Sequence, residues 1–279
     1  MFFLYFLIKM RINFKMTLSK LLFLIPLIYI IICLFIYFYQ RNLLYHPGEN
    51  NYLDEGPLTH KIQKISVNSK NDLVGWYFFK NKNFKTILFF HGNAGKLDNR
   101  IYKLNEFEKM DVNYLIFAYR GFSGNKGKPS ESGLYEDALA AKKWLNSKEI
   151  EDKNIILYGE SLGTAIAINL AKDNSFSGVI LESPFTSMET LAKKYYPYLP
   201  VSILLKDKFN SIDKLNMNNS PLLVMHGEKD RIVPFSMGKE IYSEYKSKKY
   251  SYFIENDDHM MNFNENLVRS LKLFISNLN

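Results

Sequence analysis

Cysteine is almost missing from this chain. Its one example, Cys33, cannot form an intrachain disulfide, so cysteine usage does not fix the compartment. Ile32 precedes it, where a lipoprotein cysteine would follow a small residue. Internal repeats and low-complexity blocks are also absent. The formal net charge of +8 is not gathered into a basic arm. Without a concentrated basic face or a known motif, nucleic-acid binding is excluded as a reading. What remains is general surface charge, with an affinity for anionic lipid headgroups. Spacings that would ligate a metal are lacking too.

Charge is missing altogether from Leu21 to Tyr39, LLFLIPLIYIIICLFIYFY. About 20 apolar residues cross a bilayer as a helix, so this stretch is long enough. Small residues, which a signal-peptidase site needs, are missing after it; the bulky YFYQRNLLY follows instead. The segment therefore reads as an uncleaved signal anchor, with Pro26 tolerated inside it. Residues 1–20 form a basic N-terminal segment, 21–40 the transmembrane anchor and 41–279 one α/β domain. The opening MFFLYFLI is too short to span, and Met10 or Met16 are alternative starts. Lys9, Arg11, Lys15 and Lys20 precede the span, while Arg41 alone lies close behind it. The positive-inside rule then puts the N-terminus in the cytoplasm and the domain outside, in a periplasm or lumen.

After a connector over 42–60, Ile62–Val67 and Leu73–Phe79 read as an edge hairpin around NSKND. Strands are expected at Thr86–Phe90, Val112–Tyr119, Asn154–Tyr158, Val179–Leu181, Leu222–Met225 and Tyr250–Ile254. Helices are expected at Asn99–Met110, Glu131–Asn146, Leu162–Ala171 and Phe263–Leu278. Such alternation implies a mostly parallel sheet with helices on both faces. Functional groups then gather beyond the carboxyl ends of the strands. Residues 184–220 would form a short cap, rich in Tyr195, Tyr196, Tyr198, Leu199 and Leu204 among lysines. That face either packs and solvates in the ordinary way or lies near a membrane and admits lipid-like acyl chains.

Gly159-Glu160-Ser161-Leu162-Gly163 fits the G-x-S-x-G turn between a buried strand and a helix. The turn would expose the Ser161 hydroxyl at the positive end of the helix. A serine needs a base, and in this fold the order along the chain is serine, acid, histidine. The chain has 5 histidines. His46 and His60 precede the core, His91 ends an earlier strand and His226 precedes the candidate acid. His259 alone follows both Ser161 and Asp230, and elimination selects it. Asp230, in HGEKDRIVP, is the preferred acid, with Glu228 and Glu182 as alternatives. The backbone N–H groups of Leu162 and of Asn93, in the loop HGNAG, would form an oxyanion hole. Neither metal nor organic cofactor is required.

With LLYHPG, FFHGNAG, AYRGFSGNKGKPSE, LYGESLGTA, ILESPFTSM and HGEKDRIVP, the sequence resembles the α/β-hydrolase superfamily. Within it, it is similar to the Bem46-like group of membrane-anchored serine hydrolases, which includes the ABHD13- and ABHD17-type enzymes. The resemblance covers Leu43 to the C-terminus. It implies Ser161, Asp230 and His259 as a triad, and esterase or thioesterase chemistry on small-molecule or lipid-like acyl substrates. One departure is ENDDH before the histidine, where small residues or glycine are common; Asp257 and Asp258 would favour the protonated base. The cysteine-rich N-terminus of acyl–protein thioesterases is absent, so depalmitoylation is not carried over. The rival readings are a serine peptidase of the aminopeptidase type and a non-enzymatic, membrane-tethered binding protein.

Overall fold

A computed structural model describes residues 2–48, 62–67 and 72–278. The charge-free stretch and both its flanks form one helix, α1 (Phe2–Leu44), with Pro26 inside it. The helix therefore runs past both ends of the expected 21–40. Its window Leu22–Leu44 has a mean hydropathy of 2.6 and is unburied. The connector is correspondingly shorter than expected. Residues 42–44 continue the helix, Tyr45 is buried, and β1 (His46–Pro47) follows at once. Residues 49–61, which include His60 and most of the expected connector, lie outside the described residues.

Beyond them the chain alternates largely as its apolar runs require. The hairpin is β2 (Ile62–Val67) and β3 (Leu73–Phe78). Then come β4 (Lys85–Phe90), the two-residue β5 (Ala94–Gly95), α2 (Ile101–Glu108), β6 (Val112–Phe117) and α3 (Glu131–Asn146). β7 (Ile155–Glu160), α4 (Leu162–Ala171) and β8 (Gly178–Glu182) lead into the cap, which holds α5 (Met188–Tyr195), α6 (Val201–Leu204) and α7 (Ile212–Leu215). β9 (Leu222–Gly227), α8 (Phe235–Glu244), β10 (Lys249–Ile254) and α9 (Glu265–Ser276) close the chain.

The eight-stranded sheet runs β10-β9-β8-β7-β4-β6-β3-β2, and helices cover both faces. β3 is antiparallel to both its neighbours and every other pairing is parallel. β6, β7, β8 and β9 are buried at every residue, as doubly covered parallel strands must be. The helix ends follow their caps. The Ser130 hydroxyl accepts from Gly133 N–H at α3, and Ser187 accepts from Thr190 N–H at α5. Asn264 caps α9, so that helix starts two residues later than expected. The expected helix Asn99–Met110 opens as a 3-10 turn over Leu97–Arg100 before α2 begins. α8 was not anticipated from the sequence. Its buried Met237 and Ile241 sit four residues apart, a single pair and therefore a weak periodic signal.

Two strand pairings position the site. β7 and β8 pair in register so that Glu160 lies opposite Glu182. Each glutamate is followed by a serine, Ser161 and Ser183, held at φ 52°. At the same end, β1 pairs in parallel with β5 in a small separate sheet, so the chain leaving α1 lies directly on the loop after β4.

Candidate active site

Ser161 sits between β7 and α4 at φ 52°, ψ −114°, a conformation a non-glycine residue adopts only under constraint. The constraint is packing. A Cβ on Gly163 would collide with the Phe90 carbonyl, and one on Gly159 would lie 2.5 Å from the Gly163 oxygen. Glycine at both flanks lets the turn close, and the Ser161 N–H then bonds the Glu182 carbonyl at 2.8 Å. The hydroxyl is left at the N-terminal, positive end of α4.

Three predicted residues meet there. His259 Nε2 lies 2.9 Å from Ser161 Oγ, and His259 Nδ1 lies 2.7 Å from Asp230 Oδ2. Asp230 Oδ1 accepts the N–H groups of Ile232 and Val233, both at 2.8 Å. Burial works to raise the Asp230 carboxyl, but hydrogen bonds from His226 and His259 outweigh it and hold the group well below the usual carboxylate range. The two alternative acids are elsewhere. Glu228 is exposed, and Glu182 is buried against Lys103 and Tyr158.

Two neighbours escaped the sequence reading. His226 Nε2 lies 3.0 Å from Asp230 Oδ2 and 3.0 Å from the Val233 carbonyl. Both are acceptors, so that nitrogen carries the hydrogen, and the buried Nδ1 has no partner. The Ser183 hydroxyl donates to the His259 carbonyl at 3.0 Å. The dipeptide His226-Gly227 at the end of β9, four residues before the acid, was the available signal for the first. Ser183 carried none.

Under the elbow lies a buried charge cluster. Lys103, fully buried on α2, bridges Glu160 at 2.6 Å and Glu182 at 2.7 Å. Arg100 holds the other Glu160 oxygen at 2.5 Å, and Gly92 N–H approaches that oxygen at 3.3 Å. Burial favours the neutral form of Lys103, yet the two glutamates reverse that and raise it. Burial opposes Glu160 ionisation too, and Lys103 and Arg100 overcome it. Arg100 also donates to the Ala94 carbonyl at 2.9 Å. One carboxylate thus ties the nucleophile turn to the loop after β4.

That loop is fixed from two more sides. Burial, with Arg100 nearby, pushes His91 down to about 3, so its ring is neutral. Its Nδ1 bonds the Gly92 carbonyl at 2.8 Å, and Tyr119 N–H faces its Nε2 at 3.4 Å. Asn93 gives its side-chain amide to the Leu44 carbonyl at 2.7 Å, and its own carbonyl accepts from His46 N–H at 2.9 Å. Leu162, the first residue of α4, has no intrahelical acceptor for its N–H. Asp257 and Asp258, expected to act on the base, accept backbone N–H groups of Asp258, Asn262 and Met260 in the turn around it.

A cavity of about 900 Å³ opens beside His259, walled by Tyr102, Ile232 and Phe263 with Glu106, Lys229 and Arg231. A smaller one of about 190 Å³ lies between α1 and the cap, lined by Ile36, Leu43, Leu44, Met188, Tyr196 and Leu199.

Sheet order, elbow and cap together define an α/β-hydrolase, and the chain is a hydrolase of that fold. It belongs to the prolyl oligopeptidase family, whose model matches residues 110–273. An uncharacterized protein of Mycobacterium tuberculosis is 33% identical over 215 residues, 75% of this chain and 76% of that one. The lysophosphatidylserine lipase ABHD12 of Danio rerio is 35% identical over 191 residues, 60% of this chain and 49% of that one. Among solved structures, a Pyrococcus furiosus esterase superposes with a TM-score of 0.68 at 20% identity, covering 84% of this chain and 99% of that one.

Proposed function

We propose that this protein is a membrane-anchored serine hydrolase that cleaves carboxylic ester or thioester bonds through an acyl-enzyme. The observation that carries the reading is the unbroken hydrogen-bonded line from Ser161 through His259 to Asp230. Ser161 Oγ attacks the carbonyl carbon while His259 Nε2 takes its proton. Asp230 holds the Nδ1–H tautomer and stabilises the imidazolium that forms. The N–H groups of Asn93 and Leu162 hold the oxyanion. The proton returns to the leaving group, and a water activated by the same imidazole releases the acid. No cofactor enters the cycle.

α1 anchors the protein as a single span, and the basic residues Lys9, Arg11, Lys15 and Lys20 keep its N-terminus cytoplasmic. The hydrolase domain is then extracytoplasmic. The apolar wall of the larger cavity and the lipase among the relatives support small-molecule or lipid-like acyl substrates.

A serine peptidase of the aminopeptidase type is the second reading. The family match favours it, and Glu106, Asp257 and Asp258 on the cavity wall are groups that an amino terminus would need. A p-nitrophenyl ester series of rising chain length, run beside aminoacyl p-nitroanilides, separates the two. The ester reading expects turnover of the esters and little of the anilides, and the reverse order rejects it.

A further inference from the structure

The cap contains an uncharged run, Tyr195 to Leu205, YYPYLPVSILL. Lys193 and Lys194 precede it, and Lys206 and Lys208 follow. The run lies alongside α1, held at several depths. Arg41 pairs with Asp207 at 2.8 Å. Gln40 donates to the Leu204 carbonyl at 2.9 Å and accepts from Lys206 N–H at 2.8 Å. The Lys206 ammonium sits 3.9 Å from the centre of the Tyr37 ring. Farther along, the Tyr29 hydroxyl donates to the Tyr198 carbonyl at 2.8 Å.

Tyr29 is twelve residues from Arg41, about 18 Å along a helix axis. The hydrocarbon layer is only about 30 Å thick. If Leu22–Leu44 spans a bilayer whose polar boundary lies at Arg41 and Asp207, the Tyr198 turn is well inside the lipid. Tyr195 itself stays on the domain, its hydroxyl donating to the Arg231 and Ile232 carbonyls at 2.7 and 2.9 Å. From the contacts with α1 we infer that residues 196–205 are a second membrane element, inserted into the leaflet beside α1. The inference rests on the anchor reading of α1 and deepens it, because it places the cap in the leaflet that holds a lipid-like substrate.

Three physical features fit lipid and not water. Among the described residues Ile203 is 81% exposed and Tyr198 67% exposed. Most of the run's backbone donors are already spent, which suits a lipid-facing irregular segment. Tyr196, Leu199, Val201, Ile203, Leu204 and Leu205 donate N–H bonds to nearby carbonyls, and Pro197 and Pro200 have no N–H. Lys206, beside Tyr37 and next to Asp207, stands at the polar boundary, where anionic headgroups attract it.

The test uses the full chain with Cys33→Ser, carrying one new cysteine and an environment-sensitive fluorophore at Ile203, at Phe35 on α1, or at exposed Leu273 on α9. Each protein is reconstituted into phosphatidylcholine–phosphatidylglycerol vesicles with spin-labelled acyl chains. Quenching by the acyl chains at positions 203 and 35, and not at 273, is expected. Position 203 quenched by aqueous iodide alone, with 35 still lipid-accessible, overturns the insertion and leaves the anchor standing. An inaccessible 35 overturns both. As an independent readout, Ile203→Glu should lower hydrolysis of a vesicle-borne ester about tenfold and spare a water-soluble short-chain ester. Equal loss on both substrates would count against insertion.

Discussion

The side-chain amide of Asn93 donates to the main-chain carbonyl of Leu44 at 2.7 Å, joining the loop after β4 to the last residue of the long helix. The long helix therefore does more than precede the domain. It ends on the loop whose N–H is proposed to hold the oxyanion, and the pairing of β1 with β5 extends the contact. Asn93→Ala removes this tie and keeps the backbone N–H. Steady-state kinetics should show kcat reduced about ten- to a hundredfold with KM little changed, because a misplaced donor costs transition-state and not ground-state binding. An unchanged kcat would separate the helix end from the chemistry.

Asp230 receives two histidines on one oxygen. In the proposed mechanism His259 uses that contact to present Nε2 to serine, whereas His226 would stabilise the carboxylate and hold its rotamer. Asp230→Asn should lower kcat about 10⁴-fold through the wrong tautomer. His226→Gln should cost about tenfold, since it removes one charge-assisted hydrogen bond. Equal losses in the two variants would make His226 an equal partner.

The Lys103 cluster predicts a stability effect of a particular shape. Lys103→Met leaves Glu160 and Glu182 buried without their shared cation, and a broken buried pair costs about 3–5 kcal/mol. Glu160 keeps Arg100, so replacing Glu182 alone by glutamine in the same protein should recover much of that loss. Urea midpoints of the single and double variants measure it.

His91 sets a pH dependence whose sign follows from its depressed value of about 3. An unfolded histidine titrates near 6.5. As pH falls below about 6.5 the unfolded chain binds a proton that the folded chain refuses, so stability present at neutral pH is lost down to about pH 3. At pH 5 the loss is about 2 kcal/mol. The pH 7.5 to pH 5 difference in urea midpoint should shrink in His91→Asn.

The residues that meet at the site were legible because their signals are local or ordered along the chain. G-x-S-x-G needs five neighbouring positions, and His259 was the one histidine after Asp230. α3 and α4 were legible to the residue, since a serine cap or an elbow marks the start and apolar periodicity marks the length. Lys103 was not. On α2 it reads as a surface charge, and its burial depends on two glutamates brought together by the register of β7 and β8. Nor was the β1–β5 contact, where two residues on each side give no alternation to detect. The helix runs past the 21–40 expected for a span because α-helix formation does not stop where the charge-free run does; Arg41 and Leu44 remain helical while binding Asp207 and Asn93.

The most direct measurement is covalent labelling of the full-length protein in detergent with a fluorophosphonate probe, followed by peptide mass spectrometry. One adduct per chain is expected, on the peptide carrying Ser161, with none on Ser161→Ala and slowed labelling on His259→Ala. An unlabelled wild type, or equal labelling of Ser161→Ala, would contradict a nucleophilic Ser161.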